Sequence, residues 1–164
     1  MNIQVNWKQP IVLIDGDDKN LIYTCENIEN FSEDSGVYVF ARNYGENVVP
    51  LYIGKAVNLK RRIIQQFNNA KLMNAIKKTS NGKRILLIGE LEYNGKQDPG
   101  KMLSVLEPTL IEHFLSMGFE LLNIQGTKRP VHTITFSGNQ TSRKIVPANM
   151  YAIKTANNKS NPEK

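Results

Sequence analysis

Apolar residues fall into short blocks over most of the chain and recur at helical spacing in two places. Residues 11–14 and 21–24 are apolar runs separated by the polar segment DGDDKN, a pattern that predicts a hairpin. The runs GVYVF at 36–40 and LYIG at 51–54, joined by ARNYGENVVP, predict a second antiparallel pair with a loop between its strands. After them, Asn58 can cap a helix reaching to about residue 70, because Leu59, Ile63, Phe67 and Ala70 recur at helical spacing. RILLIG at 84–89 predicts a buried strand. A second helix is expected over roughly 102–117, with Pro108 either in its first turn or at a kink. Beyond the segment Leu121-Leu122-Asn123, VHTITF alternates as a strand does, and a short strand is expected near 145–153.

At 164 residues the chain suits one domain with extensions. A hydrophobic share of 40% and a charged share of 22% exclude wholesale disorder and a membrane protein. No apolar run approaches a membrane span, and the N-terminus lacks the layout of a signal peptide, so a cytoplasmic protein is expected. The lone Cys25 excludes an internal disulfide and any multi-cysteine metal site. The net charge of +6 is unevenly placed. From Gly54 to Gly89 stand Lys55, Lys60, Arg61, Arg62, Lys71, Lys77, Lys78, Lys83 and Arg84, with no Asp or Glu among them. The first 34 residues lean acidic. So one-sided a basic segment fits either a solvated face or a polyanion such as a phosphate backbone.

Several chemical readings fail on spacing. A calcium loop begun at Asp15 would have Lys19 at its fifth position and no glycine at its sixth, so the aspartates read as turn residues. His113 and His132 form no paired zinc motif and are expected to be structural or DNA-facing. Helical phase separates other candidates, since each residue advances about 100°. With Leu59 at zero, Arg62 falls at the edge of the buried stripe and Arg61 points to solvent. In the second helix, Glu107 lies within the apolar face of Leu103, Leu106, Leu110, Phe114 and Met117, whereas Glu112 lies opposite. A carboxylate on a buried face needs a cation, an arginine or a capping role, here through a Ser104-x-x-Glu107 box.

The ordered series GVY at 36–38, YIG at 52–54, KAVNLKRR at 55–62, a glutamate-bearing helix and a later asparagine resembles the GIY-YIG nuclease superfamily over about residues 36–123. The resemblance implies an α/β (α+β) fold with a small three-stranded antiparallel sheet, from strands near 36–40, 51–54 and 84–90, flanked by helices. It would divide the chain into an N-terminal hairpin extension (1–35), a nuclease domain (36–124), a strand-rich C-terminal extension (125–154) and a disordered tail (155–164). It implies catalytic roles for Tyr38, Tyr52, Lys55, Arg62, Glu107 and Asn123, with Glu107 also holding Mg²⁺ or Mn²⁺. The DNA-binding set expected beside them is Lys60, Arg61, Lys77, Lys78, Lys83, Arg84, Lys128 and Arg129. Tyr38 and Tyr52 would project to one face of the sheet, where Arg62 and Glu107 would meet them from the two helices.

The function implied is a metal-dependent DNA endonuclease. Two other classes stay open: a nucleic-acid-binding module that keeps the fold without the chemistry, and a nuclease subunit that needs a protein partner or a homodimer for recognition. Which tyrosine acts as base is also open, as is a reading of both as core aromatics.

Overall fold

The computed structural model describes residues 2–16, 21–122 and 130–153. Asn123, Lys128, Arg129 and the tail 155–164 lie outside the described residues, as does part of the 15–20 turn. In chain order the elements are β1 (Gln4–Trp7), β2 (Ile11–Val12), β3 (Ile14–Asp15), β4 (Tyr23–Thr24), β5 (Gly36–Tyr44), β6 (Asn47–Ala56), α1 (Leu59–Phe67), α2 (Ala70–Lys77), β7 (Lys83–Glu92), α3 (Pro99–Ser116), β8 (Pro130–Thr135) and β9 (Asn149–Ile153).

The architecture is α+β. Three long apolar strands form most of an antiparallel sheet in the order β1-β7-β5-β6, and β2 also pairs with β7. The expected three-stranded sheet is therefore a five-stranded one. Val5 and Trp7 of β1 lie over Gly89, where a Cβ would meet Val5 Cγ1 at 2.7 Å, so the missing side chain is what lets the first strand close down on β7. Residues 11–14 do not form one strand of a hairpin. Ile11 and Val12 pair with β7, whereas Ile14 and Asp15 pair with β4. Buried Leu13 sits at the changeover, its N–H donating to Arg84 O at 2.9 Å.

The segment expected as a ten-residue loop between β5 and β6 is mostly strand. Its two strands run on to Tyr44 and Asn47, and Gly45, at φ 60°, makes the turn. The register pairs Tyr38 with Gly54 and Phe40 with Tyr52, and shifts between Phe40 and Ala41. β6 lies at one end of the sheet and carries Pro50, which has no N–H for a ladder bond.

Alternation along β5 and β7 sends residues to two layers. Tyr38, Phe40, Leu86 and Ile88 pack with Leu59, Ile63 and Phe67 of α1 and with Met73 and Ile76 of α2. On the other face, Val37, Val39, Ala41, Ile53 and Ile85 pack with Met102, Leu103 and Leu115 of α3. Each such side chain fully buried contributes about 1.5–3 kcal/mol.

The helix expected to reach residue 70 ends at Phe67. Asn69 then caps a second helix, its side chain accepting from Leu72 N at 3.1 Å, and Ala70 is exposed. α3 begins earlier than expected, at Pro99, with Asp98 accepting from Gly100 N at 2.8 Å and Lys101 N at 3.3 Å. Ser104 thus stands inside the helix, donating to Lys101 O at 2.7 Å, so it forms no N-terminal box with Glu107. Pro108 also lies inside it. β8 and β9 form a separate hairpin, joined to the end of α3 where the Tyr151 ring lies against Gly118.

Candidate active site

Two tyrosines, one amide and one guanidinium gather on the α1 face of the sheet. Tyr38 is fully buried and its ring lies across the neighbouring strand at Gly54, where any Cβ would collide with the phenol. That close approach explains the glycine two residues after Tyr52. The Tyr38 and Tyr52 rings stack with centroids 6.3 Å apart and planes inclined by 28°. Gln66 of α1, 4% exposed, donates from Nε2 to Tyr38 Oη at 2.8 Å and to Tyr52 Oη at 3.5 Å. Asn69 Nδ2 in turn donates to Gln66 Oε1 at 3.4 Å, so the cap of α2 orients the amide that joins the two phenols. Gln66 was not among the candidates expected from sequence. The signal that could have found it is its phase, one turn after Arg62 on the stripe that meets the sheet.

The guanidinium of Arg62 donates from Nη1 to Gln65 Oε1 at 3.5 Å, and interaction with the Tyr38 hydroxyl is the main cause holding it above its ordinary value, with attraction from Tyr52 and Glu107 adding to it. Burial raises the Tyr38 phenol above the ordinary tyrosine value, against the lowering effect of the Gln66 bond and of Arg62. Tyr52 is half-buried and so is the more accessible phenol of the pair.

Lys55 and Glu107 do not reach the tyrosine face. Lys55 lies three residues beyond Tyr52, so strand alternation turns it to the α3 side, where its Nζ pairs with Glu107 Oε2 at 3.0 Å. The expectation that all four groups share one face is thereby corrected. They meet around the outer edge of β6, with Arg62 close enough to Glu107 to sense its charge. A cleft of about 330 Å³ opens beside them, lined by Lys55, Ala56, Val57, Asn58, Arg61, Arg62 and Gln65.

Among the described residues, no three His, Cys, Asp or Glu side chains gather as a ready metal cluster. Glu107 stands on the rim of the site, with 21% of its side chain exposed and one oxygen engaged by Lys55. A carboxylate offers about four acceptor positions, so Lys55 does not exhaust it. One hard oxygen ligand with room for water suits Mg²⁺ or Mn²⁺ better than zinc.

The remaining basic residues part company. Arg61, Lys77, Lys78 and Lys83 are exposed. Lys60 is half-buried, its Nζ donating to Glu29 O at 2.6 Å. Arg84 does not join the exposed set: it is buried, and its guanidinium donates to Ile76 O at 3.1 Å, Thr79 O at 2.9 Å, Lys77 O at 3.4 Å and Gly82 O. Its sheet-facing position puts it under the end of α2, where unpaired helix carbonyls collect. His113 is exposed in the last turn of α3, and the side chain of His132 lies outside the described residues. Buried Cys25 has its thiol pushed up to about 11 by burial and by Glu29, which leaves it an inert core residue. No helix among the described residues is long and apolar enough to cross a membrane.

No protein-family model matches the chain, and no solved structure matches it. A stretch of 44 residues, 27% of the chain, is 41% identical to UvrABC system protein C of Dictyoglomus thermophilum, and the match covers 7% of that protein's length. The chain is thus similar, over about a quarter of its residues, to a small part of a UvrABC system protein.

Proposed function

We propose that the chain is a GIY-YIG-type endonuclease that hydrolyses DNA phosphodiesters with Mg²⁺ or Mn²⁺ held at Glu107. The observation that carries the reading is the cluster of Tyr38, Tyr52, Gln66 and Arg62 on one face of β6 with the Lys55–Glu107 pair on the other, Lys55 and Arg62 lining one cleft between them. The partial likeness to a UvrABC system protein supports it.

In this reading each group acts according to its surroundings. Arg62 offers forked donors to the phosphate oxygens that gain charge in the transition state. Tyr38, fully buried and bonded by Gln66, is held further from ionisation by its burial and positions Gln66 and the neighbouring Arg62 rather than acting as base. Tyr52, the more accessible phenol, orients the attacking water through its hydroxyl and would take that water's proton only as the phenolate, its own proton having first left to solvent. Lys55 neutralises Glu107 until substrate arrives, then supplies positive charge beside the phosphate. Glu107 would hold a divalent cation, which when bound would supply Lewis-acid stabilisation of the leaving oxygen. Arg61, Lys77, Lys78 and Lys83 contact the DNA backbone.

The Lys55–Glu107 pair also favours a second reading, a DNA-binding module in which the lysine permanently takes the place of the metal. Incubating the chain with plasmid DNA and Mg²⁺, with an EDTA control and with Glu107→Ala, separates the two. The nuclease reading expects nicking that needs both metal and Glu107. Retained DNA binding with no cutting by the wild type would overturn it in favour of the module, and cutting only in the presence of a second protein would make the chain a subunit.

A further inference from the structure

The β5–β6 hairpin runs past the core. Burial along β5 ends at Ala41; Arg42 and Asn43 are half-buried, and Tyr44 at the tip is 59% exposed. The chain between α2 and β7 closes against this tip. Gly82, at φ 137°, brings its backbone so near that a Cβ would meet Asn43 O at 2.7 Å and Tyr44 Cβ at 3.5 Å. Arg42 Nη1 donates to Asn81 O at 2.9 Å, and buried Arg84 binds four carbonyls between Ile76 and Gly82. Tyr44 and the exposed Lys77, Lys78 and Lys83 therefore belong to one stapled corner. The ion pairs among the described residues are Lys8–Glu90 and Lys55–Glu107, and neither draws on these cations.

We propose that this corner is a nucleic-acid platform, on which an unpaired nucleotide stacks against Tyr44 while Lys77, Lys78 and Lys83 take the adjoining phosphates. An exposed phenol presents a π face that any base can cover, and neighbouring lysines supply charge that is indifferent to sequence. A base within a duplex has both faces already covered by its neighbours, so the ligand is a single-stranded flank. Tyr44 projects to the same face of β5 as Tyr38, six residues away, which at about 3.4 Å per residue is roughly 20 Å. The platform therefore meets the nucleic acid roughly 20 Å from the scissile phosphate. That spacing rests on the nuclease reading; the binding itself does not.

The test is fluorescence anisotropy in EDTA with two labelled DNAs, a blunt duplex and the same duplex carrying a ten-nucleotide overhang. Wild type is expected to favour the overhang. Tyr44→Ala should weaken overhang binding about 5- to 100-fold and leave the blunt duplex unchanged, and Tyr44→Phe should restore the preference. A 5-iodouracil placed in the overhang should cross-link to Tyr44 on irradiation. Equal losses on both DNAs, no loss on either, or cross-links confined to other residues would overturn the platform. A chain that binds overhangs through Tyr44 yet never cuts with Mg²⁺ would sink the nuclease reading and leave the platform standing.

Discussion

Tyr38 and Tyr52 differ by exposure while sharing one amide, and the difference is open to kinetics. Tyr52→Phe is expected to reduce single-turnover cleavage by about 10²-fold or more, as loss of a proton acceptor does. Tyr38→Phe should act more weakly, through a loosened Arg62. If the Tyr38 variant proves the more damaged while both fold, the assignment of base is reversed. Tyr38 also affects stability in alkali. Its folded-state value is raised, so the native chain holds the proton more tightly, and that stabilisation is complete below the ordinary tyrosine value near 10 and lost as pH rises through the higher folded value. Urea unfolding between pH 9 and 11.5 should therefore show a shallower decline in Tyr38→Phe than in wild type. Arg62→Ala should cost about 10²–10³ in turnover with the fold retained. Arg61→Ala, removing a side chain that touches no tyrosine, should raise the dissociation constant and spare the rate; a larger rate loss at Arg61 would show that the wrong arginine faces the phosphate. The resemblance carried by GVY and YIG pointed to the tyrosines, and helical phase then chose Arg62 over Arg61 and Glu107 over Glu112. For Gln66 the phase put the side chain on the buried stripe, but its partners became visible only with Tyr38 and Tyr52 beneath it.

Between α2 and β7, two kinds of cation do different work at the same place. Arg84→Ala removes donors from four buried or half-buried carbonyls and should lower stability by about 2–4 kcal/mol in denaturant melts. Lys77→Glu with Lys78→Glu should leave the melt unchanged, weaken DNA binding and reduce the log–log salt slope by about 0.9 for each phosphate no longer neutralised. A double variant that melts early with an unchanged slope would mean these lysines serve the fold. From sequence, Arg84 and its neighbours looked alike because charge counts carry no burial. The same stretch hid a helix. The apolar period of α1 runs on to Ala70, and only the Asn69 side chain, bonded to Leu72 N, shows that the axis restarts there. Long apolar strands were legible at β5, β6 and β7. β1 was not, since a four-residue strand is too short to carry a period, and β2 was legible only as part of the run 11–14, with nothing in it to show that it pairs with β7.

For the molecule as a whole, those two short strands decide whether β7 is an inner strand. Removing residues 2–12 would uncover the β7 ladder from Ile85 to Glu92, together with the surface now under Val5 and Trp7. The shortened chain is expected to aggregate or lose solubility, as exposed apolar edges do, and an unaffected monomer in size-exclusion chromatography would show that the three central strands suffice. At the opposite end of the sheet, the proposed function requires the edge to stay open. Arg62 and Tyr52 stand on one side of β6 and Lys55 and Glu107 on the other, so in the proposed nuclease the two groups would act on one phosphate only around that margin. A peptide adding itself as a further strand along β6 would shut the passage between them without displacing a single catalytic side chain. Competition between strand addition and substrate therefore offers a route to inhibitors that read backbone alone, with β6 as their template.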